Sequence, residues 1–257
     1  MPGLNFMEDF DGVALDEAVW VPYYLPQWSS RAASAAAYQV DGSALRVEIP
    51  VDHPLWCADE HSGPLRVSGI QSGVFSGPVG TTIGQQPFQD GLVVREEQPE
   101  HWGWTPHLGR IEVAARMELS ARSMASVWMV GLEDRPERSG EICLFEVFGD
   151  TISSDERRAS VGSGIHAFRD PTLHEEFSAQ PMAVDVRDLH AYAVDWHPGR
   201  VEFSIDGRVT RTTSQAPDYP MQVMIAVFDF PDRAVQGDAG HVPHLTVDWI
   251  RGSAAGR

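Results

Sequence analysis

The chain has 257 residues, 42% of them apolar and 22% charged, enough to bury a full core. Its 19 basic residues, all arginine, face 37 acidic ones, and the resulting charge of −18 repels nucleic-acid phosphates, anionic lipids and, less firmly, acidic polysaccharides. No window approaches the roughly 18 apolar residues of a membrane helix, and no basic start followed by an apolar run marks a leader. The expectation is a protein without membrane or nucleic-acid partners, cytoplasmic unless a leader precedes this sequence.

In chain order the recurring signal is short apolar/polar alternation broken by Gly, Pro and Asp-Gly. Tyr38–Val40 and Ala44–Ile49 flank Asp41-Gly42 after a small Ala-rich loop, Ala32–Ala37. Leu92–Arg95, Arg110–Leu119, Leu189–Trp196 and Gln222–Phe230 read as further strands. The sharpest case is Arg200–Ile205, Asp206-Gly207, Arg208–Thr212, where Val201, Phe203, Ile205 and Val209 are expected to share one face across a two-residue turn. About a dozen such segments, with almost no helical periodicity, predict an all-β sandwich or barrel. No linker divides the chain, so a single domain over 1–257 is expected.

Cys57 and Cys143 have no metal-type spacing and are expected to be separate reduced thiols, with one disulfide between them left open. His241 and His244 are three apart, but the intervening Val242-Pro243 breaks any helix that would align them on a metal. No zinc, phosphate-loop or Ser/His/Asp motif is present.

The segment Gly140–Gly149 carries the chemistry. In a regular strand Glu141 and Cys143 face one side, while Glu146, an odd five positions on, joins Ile142 and Leu144 on the other. A lone carboxylate on an apolar face is costly. A one-residue bulge near Leu144-Phe145 resolves the conflict, because it flips the phase and lines Glu141, Cys143 and Glu146 on one face. Two backbones four strand steps apart are separated by roughly 13 Å at about 3.3 Å per residue. Side chains leaning inward can close that gap to the ~5–5.5 Å of a retaining glycosidase pair. Two carboxyls that close cannot ionise independently, which supplies an acid and a nucleophile from one residue type.

Ser139–Glu146 resembles the Glu-x-Asp-x-x-Glu signature of glycoside hydrolase family 16, the laminarinase/lichenase family. Phe6–Gly12 with Leu15 and Trp20 is similar to the family's opening. Gly109–Val113, Val127–Met129, His190–Trp196, Val201–Gly207 and Val247–Arg251 resemble its later strands in order. The resemblance implies a concanavalin A-like jelly roll, two curved antiparallel sheets with a glycan in the concave cleft. It implies Glu141 as nucleophile and Glu146 as general acid/base. Cys143 stands where the family has Asp, a residue that hydrogen-bonds the nucleophile, and Met124 where many members have the first of two Trp. A neutral thiol there removes a nearby negative charge and a strong acceptor.

Aromatic rings beside a carboxylate cleft suit the apolar faces of sugars. Trp128, one strand before the acid pair, is the first candidate for glycan contact, followed by Trp102 and Trp104 in the stretch His101–His107. Tyr23, Tyr24 and Trp28 form a loop expected at the cleft edge, and His166, read as beginning the next strand, resembles a family position near the cleaved bond. Trp20, Trp196 and Trp249 are expected in the core. The resemblance also implies a structural calcium ion on the convex side, with Asp9 and Asp248 as its acids; no other cofactor is required.

The leading expectation is therefore a retaining endo-glycosidase on a neutral polysaccharide, a β-1,3-linked or mixed-linkage glucan. Transglycosylation differs only in the acceptor. A glycan-binding module on the same fold, its catalysis lost through Cys143 and Met124, and a cytoplasmic enzyme of small oligosaccharides are the rival readings.

Overall fold

The protein is described here by a computed structural model covering residues 4–153, 155–235, 238 and 240–253. Its strands, in chain order, are β1 (Leu4–Glu8), β2 (Ala37–Val40), β3 (Leu45–Glu48), β4 (Arg66–Gln71), β5 (Gly73–Val74), β6 (His101–Trp102), β7 (Gly109–Glu118) and β8 (Ser123–Gly131). They continue with β9 (Glu141–Phe148), β10 (Ala159–His166), β11 (Glu176–Met182), β12 (His190–His197), β13 (Arg200–Ile205), β14 (Arg208–Thr213), β15 (Met221–Asp229) and β16 (His244–Ser253). Two antiparallel sheets form the jelly-roll sandwich. One runs β14-β13-β12-β7-β16-β3-β2 with β1 also on β16, and the other β11-β10-β9-β8-β15-β4.

The local chemistry explains the elements. The β13–β14 turn places Asp206 at φ 50° and Gly207 at φ 73°, the paired positive values of a type I′ hairpin, which Asp-Gly tolerates well. Val201, Phe203 and Ile205 point into the core, but Val209 is 60% exposed. Pairing across the two-residue turn sets Val209 opposite Ser204, on the face turned away from Phe203 and Ile205. Leu92–Arg95 forms no strand; Leu92 and Val94 are instead buried from a loop. Within the Ala-rich stretch, Arg31–Ser34 makes one helical turn capped by Ser30.

Between the sheets lies the main core, built from side chains such as Val47, Val113, Val127, Ile142, Phe145, Tyr192, Trp196 and Ile225. Each such buried side chain contributes about 1.5–3 kcal/mol. A second apolar cluster lies on the other face of the six-stranded sheet, where Trp128, Cys143, Met224 and Phe228 pack beneath Leu25, Trp28, Trp56, Leu92 and Val94. Strands β8 and β15 are consequently buried on both faces, which erases the alternation of a half-exposed strand. Trp20 and Trp196 are core residues as expected, whereas Trp249 is half-buried beneath the Arg251 guanidinium, 3.9 Å from its ring centre. A register shift between Val247 and Trp249 re-aims that side chain.

Candidate active site

Cys143 pairs with Trp128 of β8 and Phe145 with the adjacent Val127, leaving Leu144 as an extra residue. The β10 side shows the same break between Gly162, opposite Glu146, and Gly164, opposite Cys143. This bulge sends Ile142, Leu144, Phe145 and Val147 into the main core. Cys143 and the two glutamates are left on the cleft side, with Cys143 in the outer cluster and Glu146 lining the cleft.

Glu141 is only 8% exposed. Burial, then the charges of Glu146 and Glu175, hold its carboxyl well above the ordinary glutamate range. Glu146 is raised by burial. The Gln86 amide donates to Glu141 Oε2 at 3.3 Å, and His166 Nε2 lies 3.9 Å from Oε1. His166 ends β10 rather than beginning a strand. It stacks on Phe177 at 4.4 Å and bonds Glu175 through Nδ1 at 2.7 Å. Cys143 is buried, its thiol pushed up first by burial and then by Glu141 and Glu146, so it stays neutral. Its neighbour is the Ser126 hydroxyl at 3.9 Å.

The cleft holds about 800 Å³. Glu146 and Arg169 contribute polar groups; Phe148, Phe168, Phe228, Phe230, Phe88 and Trp56 contribute rings. Met124 is also among the residues lining it. Tyr24 lines the same cleft, its hydroxyl raised by burial, Glu141 and Cys57.

Other aromatic candidates land elsewhere. Trp128 faces the cleft side, but it is 4% exposed and packs edge-on against Tyr24 beneath the loops. Trp28 is fully buried and donates to Gln85 O at 2.6 Å, while Tyr23 carries the Arg31 guanidinium over its ring. Trp104 stacks on Phe6 at 3.9 Å, against Gly252 of β16, away from the cleft. Trp102, 42% exposed on β6, donates to Glu100 and is not among the residues lining the cleft. Sequence reasoning missed Gln86, Glu133, Arg169 and Glu175, which reach the site from loops. It also missed Phe148, although its position two residues after Glu146 on the same strand face was a usable signal.

Both cysteines are free and buried. Asp248 is engaged by Arg116 at 3.4 Å, and Arg46 lines the same hollow. Among the described residues no group of three acidic, His or Cys side chains is placed to hold a metal. A guanidinium already paired with Asp248 does not suit a calcium ion at that acid.

Comparison with known proteins gives these geometries a context. The family model described as Glycosyl hydrolases family 16 matches residues 105–251. No curated protein matches the chain in sequence. A GlcNAcα1-4Gal-releasing endo-β-galactosidase from Clostridium perfringens superposes with a TM-score of 0.81 at 24% identity, over 98% of this chain and 62% of its own. The chain thus spans less than two thirds of that protein. An endo-acting O-glycanase expressed by members of the human gut microbiota gives 0.64 at 18% identity, covering 99% of this chain and 100% of its own. The laminarinase catalytic domain from Thermotoga maritima gives 0.65 at 14%, covering 100% and 99%.

Proposed function

Because the chain belongs to glycosyl hydrolases family 16, we propose that it is a retaining endo-glycosidase acting on a neutral polysaccharide, with Glu141 as nucleophile and Glu146 as general acid/base. The carrying observation is the bulge at Leu144, which turns both carboxylates to the cleft side of one strand. Glu146 protonates the leaving oxygen while Glu141 attacks the anomeric carbon. Water, deprotonated by Glu146, then releases the glycosyl-enzyme.

Attack needs the proton on Glu146 and the charge on Glu141. Burial opposes charge on Glu141, and the Gln86 amide that donates to its Oε2 is a contact that favours the charged form.

A β-1,3-linked or mixed-linkage glucan is the substrate that the likeness to laminarinases supports. A β-galactosidic glycan is the second reading, favoured by the higher TM-score of the endo-β-galactosidase. A net charge of −18 favours a neutral chain in either case. The test is product analysis on laminarin, lichenan, mixed-linkage glucan and a β-galactosidic O-glycan, comparing wild type with Glu141→Gln. Turnover that survives in the variant overturns the nucleophile assignment. Saturable binding by wild type with no cleavage of any glycan replaces the enzyme with a binding module.

A further inference from the structure

We propose that Gln86 is a positioning residue for Glu141, reaching across the cleft to hold the attacking carboxylate in the orientation that its own strand does not enforce. The inference rests on the reading of Glu141 as nucleophile. On β9 the same-face neighbour of Glu141 is Cys143, a buried thiol whose hydrogen-bonding contact is Ser126 rather than the carboxylate. The side-chain donor within hydrogen-bonding distance of Glu141 comes instead from a distant loop, through Gln86 Nε2 to Oε2.

That loop is built to keep the amide still. The Gln86 backbone N–H donates to Glu133 Oε1 at 2.6 Å, and Arg169 pairs with the same carboxylate from the far wall. Gln86 and Glu133 both sit in left-handed backbone, at φ 44° and 56°, a conformation costly for residues other than glycine and retained only where surroundings enforce it. One residue earlier, Gln85 O accepts from both the Gln27 amide and the Trp28 indole, and Gln85 Oε1 accepts from the Phe75 N–H. Gly84 packs so tightly on Trp28 that an added Cβ would lie 2.8 Å from the ring. Gln86 is thus held through its own N–H and through the two residues before it, while its Nε2 meets Glu141. Its Oε1 is buried and finds no hydrogen-bond partner among the described residues, so the amide is not committed to another protein group.

A donor fixed by backbone contacts acts on Glu141 in two ways. It restricts rotation about the last side-chain bond, which keeps one oxygen on the line of attack. It also stabilises the charged form against burial. Neither effect depends on contact with the sugar.

The test compares four proteins on the glycan that wild type cuts in the panel above, laminarin first: wild type, Gln86→Met, Cys143→Asp and the double variant. Gln86→Met keeps the side chain's length and removes the amide. The expected result is a kcat lower by roughly ten- to a hundredfold with KM little changed. In the Cys143→Asp background the same substitution is expected to cost several-fold less, because a carboxyl at 143 then supplies a local partner for Glu141. An unchanged kcat overturns the assignment, as does a rise in KM alone, which marks a substrate contact. An equal loss in both backgrounds also overturns it, since that is the signature of a general structural role.

If Gln86→Met melts early, Gln86→Glu decides the matter. It places a further carboxylate among the groups facing Glu141, namely Glu146 and Cys143 from β9, His166 from β10, Glu175 beyond it and Tyr24 from the N-terminal loop. The acid limb of kcat/KM then moves to higher pH; an unmoved limb overturns the assignment. A wild type that cuts none of the glycans removes the proposed function and this assignment with it, whereas an active wild type with an unaffected Gln86 variant removes this assignment alone.

Discussion

Glu141 and Glu146 are five residues apart along β9 yet face partners only four apart on β8, Val130 and Ser126. The missing step is Leu144. It converts an arrangement that would bury one carboxylate among aliphatic side chains into one that puts both acids on the same face of the strand.

Removing the charge of the more buried acid should stabilise the protein. The folded-state pKa of Glu141 lies well above its ordinary value of 4.5. Between those two values the native state binds more protons than the unfolded chain, so stability falls as pH rises. Glu141→Gln is therefore expected to melt at a higher temperature than wild type at neutral pH. The difference should close as pH falls toward 4.5, as read by thermal melts across pH.

The same shifts displace the rate profile. The proposed roles require Glu141 deprotonated and Glu146 protonated, and burial raises both carboxyls. The bell of kcat/KM against pH is expected to sit above the range of unperturbed glutamates on both limbs. An acid limb at the ordinary value of 4.5 would contradict the burial described here.

The thiols should be inert. Burial pushes Cys57 up to about 12 and holds Cys143 well above its usual range, and they form no disulfide. A thiol-specific chromogenic disulfide at pH 8 is expected to find no reactive cysteine in the native protein and both after unfolding. Rapid labelling of Cys143 in the native state would contradict this.

Two aromatic substitutions should separate binding from stability. Phe168 lines the cleft and is 60% exposed, so Phe168→Ala is expected to raise KM, by up to about tenfold for the ~1.4 kcal/mol that partial burial of a ring against a sugar supplies, with little change in melting. Trp128 is packed beneath the loops, so Trp128→Ala is expected to destabilise by about 3–5 kcal/mol. Steady-state kinetics and denaturant melts of both variants check the contrast.

The bulge in β9 was legible in the sequence because the odd spacing of its two acids conflicts with strand alternation, and a bulge reconciles them. The β13–β14 turn was legible because Asp-Gly is among the few pairs suited to two successive positive φ values. The roles of Trp128 and Trp104 were not legible. Whether an aromatic lies under loops or faces a ligand depends on what covers it, and here the cover is Leu25, Trp28 and Trp56 for one and Phe6 for the other. Gln86, Glu133, Arg169 and Glu175 escaped for a related reason: loops with no periodicity carry them to Glu141 or its supports from as far as 55 residues away in sequence.

The stereochemistry of the first product tests the central claim most directly. Proton NMR of the newly released reducing end, recorded before mutarotation, should show the anomeric configuration of the bond that was cut, as two successive inversions at Glu141 require. Initial appearance of the opposite anomer would mean a single displacement by water, and would remove Glu141 from the role of nucleophile.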